Sequence, residues 1–304
     1  MRKIVCILAT ICLLASCGQS YEEKQRISRA QRLKMLREDS AALKVAVMPT
    51  MDCLPLYVAQ EHGFFKKQGV DVRLKHFTAQ MDCDTAIERG RVEGLVSDLV
   101  RTERLQQQGT PLRYVAATNA YWQLITRRNA RISELKQLDD KLVAMTRFSA
   151  TDLLTTVVVD SAKLKSERVL RVQINDVNVR LRMLLGNELD AMFLTEPQAA
   201  LARQQKHRVL LDSRQLDVRP GVLAFSEKVL KNIKREQQLS LFMKAYSQAC
   251  DSLAHYGAMH YRDVAVKYYE VSSNVLDTML KTLKYEPVTV PREKDVEWAK
   301  KGVK

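Results

Sequence analysis

Leu43-Lys44-Val45-Ala46-Val47-Met48, then Pro55 to Gln68, then Val70-Asp71-Val72-Arg73-Leu74-Lys75 is the stretch that decides the fold class. The first run is apolar apart from Lys44, as a strand buried on both faces must be. The second opens on proline and stops before Gly69, the punctuation of a helix. The third alternates with a period of two and reads as a strand. Strand, helix, strand is the repeating unit of a parallel α/β sheet. Downstream, the spacing predicts a helix over Asp84 to Arg89, a strand over Gly94 to Val96, a helix over Arg101 to Gln108 and mostly strand from Thr110 to Arg127.

The alternation restarts after Ser133. Strands fit Lys141 to Met145, Arg168 to Ile174, Leu189 to Phe193 and His207 to Leu211, and helices fit Ser149 to Leu164, Val179 to Leu185 and Pro197 to Gln205. Two such series imply an α/β protein of two lobes, each a mainly parallel sheet flanked by helices. Beyond Gly221 one strand, Val222 to Phe225, precedes helices that include a long amphipathic stretch from Glu236 to His255. That tail has too few strands for a third sheet and is expected to return to the first lobe. The expected division is 1–16 signal, 17–42 polar tether, 43–123 lobe I, 124–219 lobe II and 220–304 return to lobe I.

Of 304 residues, 46% are hydrophobic and 28% charged, which excludes disorder and a multi-span membrane protein. The net charge of +14 alone would allow nucleic acid, anionic ligands or a membrane surface as partners. The amino terminus narrows this choice. Arg2 and Lys3 precede an apolar run, Ile4 to Leu14, too short to span a bilayer, and Leu14-Ala15-Ser16-Cys17 follows. This resembles a bacterial lipoprotein signal with its lipobox. The resemblance implies cleavage before Cys17, acylation of Cys17 with diacylglyceryl and palmitate-type chains, and a membrane-anchored protein facing the periplasm or exterior. Loss of Arg2 and Lys3 lowers the charge from +14 to +12, and nucleic acid is not an expected partner outside the cytoplasm.

Three further segments carry a resemblance over Leu43 to Gly302. Leu56-Tyr57-Val58-Ala59 with Gly63-Phe64-Phe65-Lys66 and Gly69-Val70-Asp71-Val72 is the first; Leu185-Gly186-Asn187-Glu188-Leu189-Asp190-Ala191 through Thr195-Glu196-Pro197 is the second; Asp295-Val296-Glu297-Trp298-Ala299 is the third. Together they are similar to the periplasmic substrate-binding proteins of alkanesulfonate, taurine, nitrate and thiamine-precursor ABC importers. The resemblance implies a type II binding-protein fold acting as a monomer. A small molecule would be captured between the lobes and delivered to a permease driven by a separate ATPase, with no cofactor.

Ligands of open α/β sheets meet the loops at the carboxyl ends of strands. That rule selects Thr50, Met51 and Asp52, then Gln80 and Asp82, then Ser97 and Asp98 in the first lobe, and Arg147, Ser149, Thr151 and Glu196 in the second, with Trp122 near the crossing. Several have plainer readings. Asp82 and Asp84 suit a helix cap, as do Ser149 and Thr151. Asp98 could pair with Arg101 one turn on; Glu196-Pro197 is an ordinary helix entry; and Trp122 is more often core than cleft. Asp52, Asp82, Asp84 and Asp98 favour a cationic, amine-bearing or pyrimidine-like ligand, whereas Arg147 could grip an anion.

Cys53 and Cys83 each follow a Met-Asp pair, in loops of neighbouring strands. An extracytoplasmic disulfide between them, two free thiols, or a soft-metal site with Met48, Met51 and Met81 are three readings of that pattern. Catalysis has little sequence support. No phosphate loop, nucleophile elbow or HExxH is present. The yeast-type thiamine-pyrimidine synthases on this fold carry a cysteine cluster that the chain lacks. The enzyme and the soft-metal protein stand as alternatives to the binding protein.

Overall fold

The computed structural model describes residues 21–303, and the side chains of residues 29–303. The signal segment 1–16 and Cys17 lie outside the described residues. Residues Met1–Ala42 and Leu43–Lys304 are separate units. In the first, Tyr21–Ala41 is a helix, α1. The stretch expected to be a polar tether is therefore helical from Tyr21, because its Glu, Lys, Arg, Gln, Leu and Met are all strong helix formers. Leu33, Met35 and Leu36 on it are exposed.

The second unit carries two five-stranded sheets. The chain runs through β1 (Leu43–Val47), β2 (Val72–His76), β3 (Gly94–Asp98) and β4 (Leu112–Ala117). It crosses to β5 (Gln123–Thr126), β6 (Lys141–Met145), β7 (Val169–Gln173), β8 (Ala191–Leu194) and β9 (Arg208–Asp212), and returns as β10 (Gly221–Ser226). The orders are β2-β1-β3-β10-β4 and β7-β6-β8-β5-β9. In each sheet the strand that has just arrived from the other one, β10 or β5, runs antiparallel to both its neighbours, and the remaining four share one direction. Both sheets are thus mixed but mainly parallel. The expected single strand-rich segment Thr110 to Arg127 is two strands, because residues 118–122 leave one sheet for the other.

Helices cover the sheets. The expected helix Pro55 to Gln68 is broken into α2 (Leu54–Glu61) and α3 (Phe64–Lys67) by Gly63, whose φ of 68° glycine tolerates best. They are followed by α4 (Gln80–Glu88) and α5 (Leu99–Gln107), and in the second lobe by α6 (Ala150–Ser161), α7 (Val177–Leu185) and α8 (Gln198–Gln204). The long helix α9 (Ile233–Tyr256) buries Leu239, Phe242, Ala245, Tyr246, Ala249 and Leu253 in one cluster with Leu43, Val45 and Val47 of β1. The tail therefore returns to the first lobe, as its pattern predicts. The last helix, α10 (Glu293–Lys300), places Ala299 in a cluster with Leu99, Val100 and Val222 of the first lobe and Leu153 of α6.

Packing over the first sheet leaves no room at Gly94 in β3. A Cβ there would lie 2.7 Å from the Phe225 ring of β10, itself fully buried. Gly94→Ala is expected to cost about 1–3 kcal/mol in urea-monitored unfolding through this overpacking; an unchanged midpoint would mean that the β3–β10 contact is looser than described.

Candidate functional site between the lobes

The loop after β1 is held by three tyrosine hydroxyls. Tyr57 donates to Met48 O at 2.7 Å, Tyr269 to Thr50 O at 3.1 Å and Tyr285 to Met51 O at 2.7 Å. All three rings are buried, so these phenols satisfy carbonyls that water cannot reach. Two of them come from the returning tail. The tail thus fixes the Thr50 and Met51 carbonyls on the first lobe.

The lobes meet directly. Met51 N donates to Glu196 O at 3.0 Å, Thr78 Oγ1 to Asp176 Oδ2 at 2.6 Å, and Val177 N to Thr78 O at 3.1 Å. Between these contacts lies a narrow polar cleft at the carboxyl ends of the parallel strands. Its polar lining comes from Thr50, Asp52, Gln80, Ser97, Asp98 and Arg101 on one side and Thr146, Ser149, Thr151, Asn175, Arg180, Thr195 and Gln198 on the other, with Trp122 at the crossing.

Charge is arranged in three ways within this lining. Arg101 is buried and paired with Asp84. Asp98 Oδ1 accepts from Arg101 N at 3.1 Å and, across the cleft, from Ala150 N at 2.9 Å. Burial pushes the Asp98 carboxyl up to about 6, although the Arg101 guanidinium and the two N–H groups pull it down. Arg180, 5% exposed, makes its hydrogen bonds to neutral groups, donating to Phe193 O at 3.0 Å and Thr146 Oγ1 at 2.8 Å, and burial lowers its pKa to about 10 with the Asp176 charge opposing. Burial likewise raises the Asp52 carboxyl, with the hydroxyls of Thr50 and Thr118 opposing. Arg101 Nε, Arg180 Nε, Thr195 Oγ1 and Gln198 Oε1 are buried with no partner among the described residues.

Eight of the twelve residues selected from the sequence line this cleft: Thr50, Asp52, Gln80, Ser97, Asp98, Trp122, Ser149 and Thr151. Trp122 also packs against the core of the second lobe, so its two readings coexist. The other four stand elsewhere. Met51 turns its side chain into the first-lobe core. Asp82 lies within α4 and lines a lateral groove with Tyr57 and His76, because the helix begins at Gln80 and not at Asp84. Arg147 faces an outer groove of the second lobe, and only its carbonyl turns back, accepting from Arg101 Nη1 at 3.4 Å. Glu196 is fully buried, bound to Arg203 at 2.7 Å and Tyr121 at 3.0 Å.

The neighbours of these residues also differ from expectation. Asp98 caps α5 through the Arg101 backbone, and the Arg101 side chain goes to Asp84 instead. Ala79, not an aspartate, stands at the cap of α4. Ser149 does cap α6, accepting from Thr151 N. Cys53 and Cys83 are buried free thiols rather than a disulfide; Cys53 Sγ is 3.4 Å from the Met48 N–H and 3.8 Å from Thr50 Oγ1. Burial raises both thiol pKa values, which disfavours the thiolate. Among the described residues no group of three or more His, Cys, Asp or Glu is placed to hold a metal ion.

Sequence reading missed Arg101 as a cleft residue and missed Asn175, Arg180 and Gln198 altogether. Asn175 follows β7, so the strand-end rule covers it. Arg180 had a subtler signal, an arginine in the buried stripe formed with Leu181 and Leu184 of α7.

Two mixed sheets joined by two crossings, with a polar cleft at their strand ends, define the two-lobed binding-protein fold. A ligand-binding component of an ABC-type import system from Staphylococcus aureus, solved with zinc bound, is similar at a TM-score of 0.74 and 15% identity, over 86% of this chain and 90% of that one. The alkanesulfonate-binding protein SsuA of Xanthomonas axonopodis pv. citri, bound to MOPS, gives 0.72 and 15% over 84% and 88%. The nitrate-binding protein NrtA of Synechocystis PCC 6803 gives 0.69 and 14% over 83% and 74%. At the level of sequence no curated protein matches. The family model described as NMT1/THI5 like matches residues 50–256, and the chain belongs to that family.

Because the folded-state pKa of Asp98 is raised above the ordinary carboxylate value, the folded protein keeps this proton to higher pH than the unfolded chain does. Its contribution is therefore fully present below about pH 4 and is lost as pH rises through about 6. Asp52 and Asp84 shift in the same direction, so the informative quantity is a difference between proteins. Asp98→Asn should show a stability profile flatter than wild type between about pH 4 and pH 7, by on the order of 2 kcal/mol in denaturant titrations. Parallel profiles would contradict the burial of this charge.

Proposed function

We propose that the chain is a lipid-anchored, extracytoplasmic solute-binding component of an ABC importer, which closes its lobes on a small polar molecule and presents it to a permease. The observation that carries this reading is the set of buried, unpartnered polar atoms in the cleft, on Arg101, Arg180, Thr195 and Gln198. Leaving such groups unpaired costs about 1–3 kcal/mol each, a cost that a hydrogen-bonding solute removes. Ligand capture then shifts the population toward the closed shape by its preference for that shape. The printed roles of the similar solved proteins, importer component, alkanesulfonate binding and nitrate binding, support the same reading.

The anchor rests on Cys17 and the short apolar run before it. Among the described residues no helix is long and apolar enough to cross a membrane. The cleft lining offers hydroxyls, amides, carboxylates and guanidiniums, and neither Cys53 nor Cys83 stands in it, which supports binding over turnover.

Protein lacking residues 1–16 is expected to gain thermal stability with one member of a panel of sulfonates, pyrimidines, amines and amino acids, and to return that compound unchanged. Arg180→Met should weaken the affinity at least about tenfold, since it removes a charged hydrogen-bonding partner. Conversion of a pyrimidine precursor would identify an enzyme instead. For the anchor, full-length Cys17→Ala should leave the membrane fraction and lose palmitate labelling; retention of both would place the attachment elsewhere.

A further inference from the structure

A helix amino terminus offers unpaired N–H groups and a partial positive charge, which suits an anion. The start of α6 points at the cleft, but its donors are already used. Ala150 N bonds Asp98 Oδ1 at 2.9 Å, Thr151 N bonds Ser149 Oγ at 3.1 Å, and Asp152 N and Leu153 N both reach Ser149 O at 3.1 Å. The decisive bond is the first, because its acceptor comes from the opposite lobe. A carboxylate of the protein stands where a ligand oxyanion would be bound.

The charge inventory of the walls agrees. Two carboxylates, Asp52 and Asp98, and two guanidiniums, Arg101 and Arg180, line the cleft, and Arg101 is already paired with Asp84 behind it. An added small monoanion would leave this balanced, buried lining with net negative charge, which low-dielectric surroundings penalise. The unpartnered donors Arg101 Nε and Arg180 Nε still require acceptor atoms. Neutral carbonyl or ring-nitrogen acceptors, or one end of a zwitterion, meet that need without adding net charge.

We propose that Asp98 is the specificity-determining residue of this cleft: its carboxylate occupies the start of α6 in place of a ligand oxyanion, so the solute is a polar molecule without net negative charge. This rests on the solute-binding reading above. It separates this chain from a binder of sulfonate or nitrate on the same fold.

The test is calorimetric titration of the protein lacking residues 1–16 with ethanesulfonate and with nitrate, at constant ionic strength and a pH well above the Asp98 titration. Wild type is expected to bind neither. Asp98→Gly frees Ala150 N and removes one negative charge, and should raise ethanesulfonate affinity at least about tenfold over the wild-type limit, the worth of one charge-assisted hydrogen bond. Asp98→Asn keeps an acceptor on Ala150 N and should gain nothing; an equal gain in both variants would mean that charge alone excludes the oxyanion and would overturn occupation. Asp98→Ser carries the comparison if the glycine variant does not fold. Wild type that binds ethanesulfonate or nitrate overturns the proposal and leaves the solute-binding reading standing. A protein stabilised by nothing in the broader panel, while Asp98→Gly still gains ethanesulfonate, removes the solute-binding reading and leaves the occupation of α6.

Discussion

The bond from Ala150 N–H to the Asp98 carboxylate is the contact on which the site depends. Asp98 closes β3 in the first lobe, caps α5 through Arg101 N and reaches the start of α6 in the second lobe, so one side chain ties two helix ends and two lobes together. Asp98 is buried, and that burial raises its carboxyl pKa although both N–H groups stabilise the charged form. Around it the Arg101–Asp84 pair settles one guanidinium, while Arg180 is hydrogen-bonded to neutral groups alone.

The framework serves this contact from a distance. The returning tail supplies Tyr269 and Tyr285, whose hydroxyls fix the carbonyls of Thr50 and Met51, and Tyr57 fixes Met48. At the crossings, Trp122 N donates to Ser213 Oγ and Ser213 N to Trp122 O, each at 2.9 Å, so the two connecting segments are bonded to each other. Arg214 lies over the Tyr121 ring at 3.9 Å beside that joint. The joint and the tyrosine clamp leave each lobe its own rigid wall.

Much of this was legible in the residues. Period-two runs such as Val70 to Lys75, glycine stops and the apolar β1 marked the α/β alternation, since burial on both faces leaves few other readings. The strand-end rule found eight cleft residues because topology places those loops without knowledge of side chains. It failed where the answer depended on side-chain direction. Met51 and Glu196 sit in the right loops but point into cores, Arg147 points outward, and Asp82 turns aside because α4 starts earlier than its aspartates suggested. Arg180 was hidden for the opposite reason. A charged residue in a buried helix stripe contradicts the local pattern, and only tertiary packing shows that it serves the cleft. The acidic look of the first-lobe loops also misled in part, because Asp84 is paired with Arg101 and Asp98 is spent on α6.

Native mass spectrometry of the mature protein purified from its own host tests the central claim most directly. A cleft built to hold a solute with buried guanidiniums predicts a population heavier than the acylated polypeptide by one small molecule, released on collisional activation and depleted in Arg180→Met. A single species at the mass of the acylated polypeptide alone, unchanged by Arg180→Met apart from the substitution itself, would contradict the account.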